Sequence, residues 1–238
     1  MSTSKGQRTG LEIAIVGMSG KFPNAKTVGE LWDKIKQGEE LVQFADAETY
    51  AVRGVEAPQD AGENYVPAYG SFGEEEFFDA AFFKYQAFEA AIMDPQVRVF
   101  HEVVWTALED AGVVPHKNNR IGLYAGASDN SVWKSYHTFV HNSLMVQGFM
   151  AKLLCDKDRL STLISYKLGL HGPSLFVRTA CSTALVGVHL ACRALLTGEC
   201  SIAVAGGVSI SSHALPGYYH ANDMIYSSDG HTKTFVAE

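Results

Sequence analysis

Between Ser174 and Ile210 the chain reads as a short apolar strand, a long apolar helix and a second apolar strand in immediate succession. No other pattern in the sequence restricts the fold as much. Two strands joined through a helix lie parallel in one sheet, and such sheets are covered by helices. The first strand is expected over Ser174–Thr179. The helix is expected over Ser182–Thr197, with Ala184, Leu185, Val188, Ala191, Cys192, Leu195 and Leu196 on its apolar positions. Val186 and Ala194 lie on its other faces, so it is apolar nearly all round and is predicted to be deeply buried. The second strand is expected over Cys200–Ile210 and contains Gly206-Gly207. Leu11–Val16 reads as a further buried strand, and Arg120–Ala127 as another. Together these predict an α/β fold with a largely parallel sheet.

Helix boundaries are written in the capping residues. Thr27 and Glu30 form a capping-box pattern ahead of a helix over residues 28–37, which Gly38 can close. Asp94-Pro95 opens another, with Asp at the N-cap and Pro in the first turn. Val99, Val103, Ala107, Leu108 and Ala111 carry it at helical spacing to Gly112. Residues 128–155 are polar first and then rich in Met and Phe, consistent with a helix over a loop. Asp156–Leu168 reads as a helix stopped by Gly169, and His171-Gly172-Pro173 as a turn. Residues 39–75 show no period and are expected to be loop-rich, and residues 1–10 to be a flexible tail.

The 238 residues carry 19 Lys and Arg against 26 Asp and Glu, a net charge of −7 with no basic run. That argues against binding nucleic acid or an anionic membrane surface. No apolar run is long enough to span a bilayer. Four cysteines without a CxxC pair suit reduced thiols, and a cytoplasmic location is expected. His137 and His141 stand four apart with no third ligand in evidence, so no metal site is expected. Gly17-Met18-Ser19-Gly20 lacks the remaining residues of a nucleotide-binding loop and reads as a tight turn. Glu74-Glu75-Glu76 reads as a solvated face.

Chemistry concentrates at Val177-Arg178-Thr179-Ala180-Cys181-Ser182-Thr183. A strand ends there, and Cys181 sits in the turn that enters the apolar helix. Such an elbow exposes a nucleophile, as in hydrolases with a Gly-x-Ser-x-Gly turn. A helix N-terminus offers free N–H groups and the positive end of the helix dipole, which favour thiolate over thiol and can donate to a developing oxyanion. Spacing alone leaves a second reading open, a small buried structural cysteine. Cys155, Cys192 and Cys200 sit in apolar runs and read as core. His189 lies eight residues along the same helix, about 12 Å of axial rise from Cys181, and cannot pair with it. His213, His220 and His231 read as surface or loop histidines.

Several blocks taken together resemble the polyketide β-ketoacyl synthases. They begin at Ile13-Ala14-Ile15-Val16-Gly17-Met18-Ser19-Gly20-Lys21-Phe22-Pro23 and continue through Phe77-Phe78-Asp79, Met93-Asp94-Pro95-Gln96 with Arg98, and Ala107-Leu108-Glu109-Asp110-Ala111-Gly112. Ile164-Ser165-Tyr166-Lys167-Leu168, Thr179-Ala180-Cys181-Ser182, Ala205-Gly206-Gly207-Val208 and Ser228-Asp229-Gly230-His231 follow in the family's order. The resemblance covers residues 11–235. It implies the N-terminal portion of a thiolase-like fold, in which two similar halves build a layered α/β/α/β/α body. It implies that Cys181 accepts an acyl chain from the phosphopantetheine arm of an acyl carrier protein, with no bound cofactor of its own. In the family that chain is condensed with a carbanion made by decarboxylating malonyl carrier protein.

The two histidines that support this chemistry in the family stand in segments that are absent here. The expectation is therefore one half of a split ketosynthase, residues 11–238, needing a C-terminal half in trans and inactive in condensation without it. Three other readings stay open: a transacylase, a non-condensing docking or dimerisation element, and a piece of an ordinary ketosynthase. The resemblance also implies a dimeric assembly with Ser174–Thr179 at its interface. Ala125-Gly126-Ala127-Ser128, Asn130 and Trp133 resemble ketosynthases of modular systems served by a free-standing acyltransferase. Three departures concern local packing and carrier contacts: Leu163 for an Arg, Tyr85-Gln86-Ala87-Phe88-Glu89-Ala90 for a Ser-Pro-Arg-Glu-Ala block, and Lys21 for an Arg. Met145, Phe149, Met150 and Met224 are candidates to line an acyl channel, because Met and Phe fill adaptable pockets. Ordinary core packing explains them equally well.

Overall fold

The computed structural model describes residues 9–58, 62, 64–115, 119–141, 145–211 and 216–233, with the side chains of 141 and 145–147 outside the description. The chain divides into two compact units, one of residues 1–19 and 77–210, the other of 20–76 and 211–238. Most of the expected tail, residues 1–8, lies outside the described residues.

The second unit opens with helix α1, Val28–Gln37. Thr27 is its N-cap and accepts the Glu30 N–H, while Gly38 closes it in the left-handed conformation at φ 72°. The capping box is half formed: the Glu30 carboxylate accepts the N–H of Lys26 rather than that of Thr27. The loop-rich stretch that follows holds β1 (Gln43–Phe44), the short α2 (Ala47–Val52), β2 (Tyr65–Val66) and β3 (Ala68–Tyr69), with β1 and β3 paired antiparallel.

The first unit carries the sheet. Helix α3 (Ala87–Ile92) leads into α4 (Pro95–Asp110), whose N-cap Asp94 accepts the Gln96 N–H as the Asp-Pro signal predicts. Strand β4 (Ile121–Ala127) is followed by two helices, α5 (Ser131–His141) and α6 (Met145–Cys155), where one helix over a loop was expected. A 3-10 turn at Lys157–Arg159 enters α7, Leu160–Leu168, so the helix expected from Asp156 starts later. Strand β5 is Ser174–Phe176, shorter than expected, and α8 (Thr183–Leu196) joins it to β6 (Ile202–Val208). The sheet order is β5-β4-β6, all parallel. Back in the second unit, β7 (Tyr218–Tyr219) pairs antiparallel with β2.

The period-two alternation of β4 sorts its side chains between two cores. Ile121, Leu123 and Ala125 pack with Val97, Phe100, Val104 and Leu108 of α4 and with Leu160 and Ile164 of α7. Tyr124 points the other way and packs with Ala191 and Ala194 of α8. The first unit is thus a helix–sheet–helix sandwich. Gly187, Ala191 and Ala194 form the narrow small-residue face by which α8 approaches the strands, and a Cβ at Gly187 would stand 3.2 Å from the Tyr124 carbonyl oxygen.

Two expectations are corrected here. Leu11–Val16 forms no strand, and Ile15 is 79% exposed. The segment is extended, anchored at its end where Asp110 Oδ2 accepts the Met18 N–H at 2.8 Å and Gly17 lies against the last turn of α4. Ile13 is half-buried, but Leu11, Val16 and Met18 stay exposed with Ile15. Helix α8 is likewise not buried all round: Leu185 is 76% exposed, and Val188 and Leu196 are exposed as well. An apolar pattern records how much surface a helix needs covered, and here only the face toward the sheet is covered.

Candidate active site

Cys181 stands where the pattern places it, between the end of β5 and the first turn of α8, in a single 3-10 turn over Ala180–Ser182. Its side chain is exposed. The residue before it, Ala180, has φ +52°, in the left-handed region that an alanine rarely adopts. That conformation costs about 1–2 kcal/mol and persists only where surrounding contacts impose it.

Those contacts are local and sheet-borne. Thr183, the first residue of α8, clasps the turn: its Oγ1 accepts the Thr179 N–H at 3.0 Å and donates to the Ala180 carbonyl at 2.7 Å. Ser182 Oγ donates to the Thr179 carbonyl at 2.7 Å, and the Ser182 N–H reaches the same oxygen at 3.2 Å. From the sheet, the Val177 N–H donates to the Ala125 carbonyl at 2.8 Å. Gly126 permits the closest approach: a Cβ there would fall 2.1 Å from Thr183 Cγ2 and 2.4 Å from the Val177 carbonyl oxygen. On β6, Gly207 lies beside Gly126 and Ala184. The elbow is therefore seated on the C-terminal ends of β4 and β6, where open parallel sheets carry their ligand sites.

The other thiols are placed differently. Cys155 is fully buried and donates to the Ile92 carbonyl at 3.2 Å, and burial pushes its thiol up to about 12. Cys200 is buried, and burial raises it too. Cys192 is half-buried in the middle of α8. Cys181 alone among the four is exposed.

The histidines are divided between the two units. His189 is exposed on α8. His231 Nδ1 meets Glu40 Oε2 at 2.6 Å inside the second unit, and the same carboxylate accepts the Thr232 N–H. The Thr232 N–H first and then His231 hold the Glu40 carboxyl below the usual range. His220 Nδ1 lies 3.1 Å from the Tyr226 carbonyl. His213 and the side chain of His141 lie outside the described residues. Among the described residues the Cys181 thiol meets no hydrogen-bond partner, and no cluster of His, Cys, Asp and Glu could hold a metal.

The channel candidates belong to both units. Phe149, on α6 of the first unit, is 65% exposed, and Met150 beside it packs against the main core. Met224 belongs to the second unit and is 54% exposed. The side chain of Met145 is outside the described residues.

Sequence reasoning passed over a buried polar chain behind the strand ends. Gln96, Asp94 and Asn130 are all nearly inaccessible. Asn130 donates to Asp94 and, at 2.8 Å, to the Cys155 carbonyl. Burial raises the Asp94 carboxyl, against the hydrogen bonds it accepts from Gln96 and Asn130. The resemblance had marked Asp94 and Gln96 only as members of a motif.

A beta-ketoacyl synthase N-terminal domain model matches residues 11–238. The chain belongs to the beta-ketoacyl synthase family. It is 37% identical over 232 residues to polyketide synthase PksN of Bacillus subtilis strain 168, covering 94% of this chain and 4% of that protein. It is 34% identical over 230 residues to polyketide synthase ThaG of Burkholderia thailandensis, again covering 94% of this chain and 4% of that protein. Among solved structures, ketosynthase twelve of the bacillaene polyketide synthase from Bacillus amyloliquefaciens superposes with a TM-score of 0.82 at 36% identity, over 92% of this chain and 38% of that one. The ketosynthase from module 1 of the bacillaene synthase of Bacillus amyloliquefaciens FZB42 gives 0.73 at 32% identity, over 94% and 38%. The sandwich described above is thus the N-terminal part of a thiolase-like ketosynthase fold, and the chain spans 38% of the length of those ketosynthases. No helix among the described residues is long and apolar enough to cross a membrane.

Proposed function

We propose that Cys181 is the acyl-accepting nucleophile of a polyketide ketosynthase, completed by a C-terminal half that packs on this chain and restores the reaction when supplied in trans. The exposed thiol on a strained, sheet-braced elbow is the observation that carries this reading. The thiolate attacks the thioester carbonyl of an acyl chain carried on the phosphopantetheine arm of an acyl carrier protein. A bond forms from Cys181 Sγ to the carbonyl carbon, and the bond to the pantetheine sulfur breaks. That sulfur leaves as a thiolate and takes up a proton. The Ser182 and Thr183 N–H groups are held by the Thr179 and Ala180 carbonyls, so α8 supports the developing oxyanion through the positive end of its dipole.

Condensation needs more. Loss of CO2 from a malonyl thioester leaves an enolate, which attacks the Cys181 thioester and expels the cysteine sulfur. The enolate needs groups that donate to its oxygen, and the C-terminal half is the source this reading gives them. The uncovered apolar residues of α8 and of 11–18 support the C-terminal half as the missing cover, because exposed apolar surface of this kind marks an interface. Phe149, exposed on α6 of the first unit, is the residue we propose to line the acyl channel once that cover is in place. The partners are then the C-terminal half, an acyl carrier protein and a second ketosynthase in a dimeric assembly in the cytoplasm.

Condensation of an acyl-loaded and a malonyl-loaded carrier protein tests this. Product is expected with the C-terminal half present, none with the chain alone and none with Cys181→Ala. Acylation with no condensation in any mixture would favour the transacylase reading.

A further inference from the structure

Gln96 sits in the first turn of α4, 2% exposed, and its carboxamide is fully engaged by two loops distant in sequence. Its Oε1 accepts the Ser128 N–H at 3.1 Å, the Ser128 hydroxyl at 2.7 Å and the Ile210 N–H at 3.4 Å. Its Nε2 lies 3.5 Å from both the Ser128 carbonyl and Asp94 Oδ2. Ser128 is the residue that leaves β4, and Ile210 lies two residues beyond the end of β6. One side-chain oxygen thus ties together the exits of two adjacent parallel strands. The Ser128 N–H also donates to the Val208 carbonyl at 3.0 Å, which closes the same junction from the backbone.

Two and three residues upstream of these anchor points, Gly126 and Gly207 meet the first turn of α8 from the opposite face of the sheet. We propose that Gln96 is a positioning residue for the Cys181 elbow: it splints the ends of β4 and β6 so that the platform under Thr183 and Ala184 holds one geometry. The inference rests on the reading of Cys181 given above. Gln96 touches neither the thiol nor the substrate and acts through the strands. Asp94 supports it: its Oδ1 accepts the Gln96 N–H at 2.8 Å, and its Oδ2, which also accepts from Asn130, orients the Nε2 end. A buried polar network of this kind specifies one arrangement when all its members are satisfied.

Gln96→Met keeps the volume and removes the acceptor. Gln96→Glu keeps the acceptor oxygen. Both are compared with wild type as the chain together with its C-terminal half. Single-turnover acylation of Cys181 by an acyl-pantetheine thioester is followed by intact mass, and amide exchange is read over residues 178–186 and, as a reference, over 160–168. Gln96→Met is expected to lower the limiting acylation rate at least tenfold, with the half-saturating thioester concentration within twofold of wild type. Its elbow amides are expected to exchange at least tenfold faster while those of α7 keep their rate. Gln96→Glu is expected to recover at least a third of the wild-type limiting rate. A limiting rate for Gln96→Met within threefold of wild type, or unchanged exchange at the elbow, would overturn the splint. A wild-type protein that never acylates would instead overturn the function proposed above, and the exchange comparison would then decide the splint by itself.

Discussion

A methyl group at Gly126 is the sharpest perturbation the structure offers. The added Cβ would lie 2.1 Å from Thr183 Cγ2 and 2.4 Å from the Val177 carbonyl oxygen, where ordinary contact begins at 3.4 Å. Thr183 must therefore retreat by about 1.3 Å. It holds the two hydrogen bonds that clasp the Cys181 turn. Overpacking a tight core costs about 1–3 kcal/mol, and each lost hydrogen bond about 1 kcal/mol. Gly126→Ala should accordingly destabilise by about 4 kcal/mol and slow acylation of Cys181 by about a hundredfold. Urea denaturation with linear extrapolation and intact-mass acylation read the two effects. Thr183→Ser removes the clashing Cγ2 and keeps the Oγ1 clasp, so the double variant should regain about half of the lost stability. The Val177 contact accounts for the remainder. A Gly126→Ala protein within 1 kcal/mol of wild type, or a double variant no better than the single, would refute the account of how the sheet seats the elbow.

Four further outcomes are expected. The His101 imidazole is fully buried, with Nδ1–H on the Val97 carbonyl and Nε2 facing the Tyr85 hydroxyl, and burial holds it down to about 4 from 6.5. The unfolded chain then binds the proton more readily, so stability falls as pH drops from 6.5 toward 4, by about 2 kcal/mol between pH 7.5 and 5. His101→Gln should lose that part of the slope, the opposite contribution of Asp94 being common to both proteins; equal slopes in urea titrations would contradict this. Ala180→Gly should raise stability by roughly 0.5 kcal/mol, the relief of a positive φ outweighing the entropy of glycine, and a lower melting temperature would count against the strained turn. Ile164→Ala, in the fully buried contact of α7 with β4, should cost about 2–5 kcal/mol in the same titration. Leu185→Asp should change the stability of the chain alone by less than about 0.5 kcal/mol yet abolish binding of the C-terminal half, which a pull-down with tagged halves reads directly.

Much of the framework is legible in short-range signals. Thr27 and Gly38, Asp94 and Pro95, and Gly169 set helix ends because a cap is a matter of a few neighbouring atoms. The parallel strands and the elbow at Cys181 follow from apolar runs and their order. What failed depends on partners. Leu11–Val16 and the outer face of α8 read as buried because the pattern records a demand for cover without saying what provides it. The positive φ of Ala180 leaves no mark in the sequence, since alanine has no preference for that region and the conformation is imposed by the Thr183 clasp. Gln96 is equally silent: a glutamine in the first turn of a helix reads as solvated. Its burial arises because Ser128 and Ile210, 32 and 114 residues away, arrive at its carboxamide.

The most direct test is intact mass with peptide mapping after incubation with an acyl-loaded carrier protein. Wild type is compared with Cys181→Ala, each with and without the C-terminal half. The account predicts one acyl mass on the wild-type chain when the half is present, mapped to the peptide holding Cys181 and absent from Cys181→Ala. An acyl group found on Cys192 or elsewhere, or no acyl mass in any mixture, would contradict it.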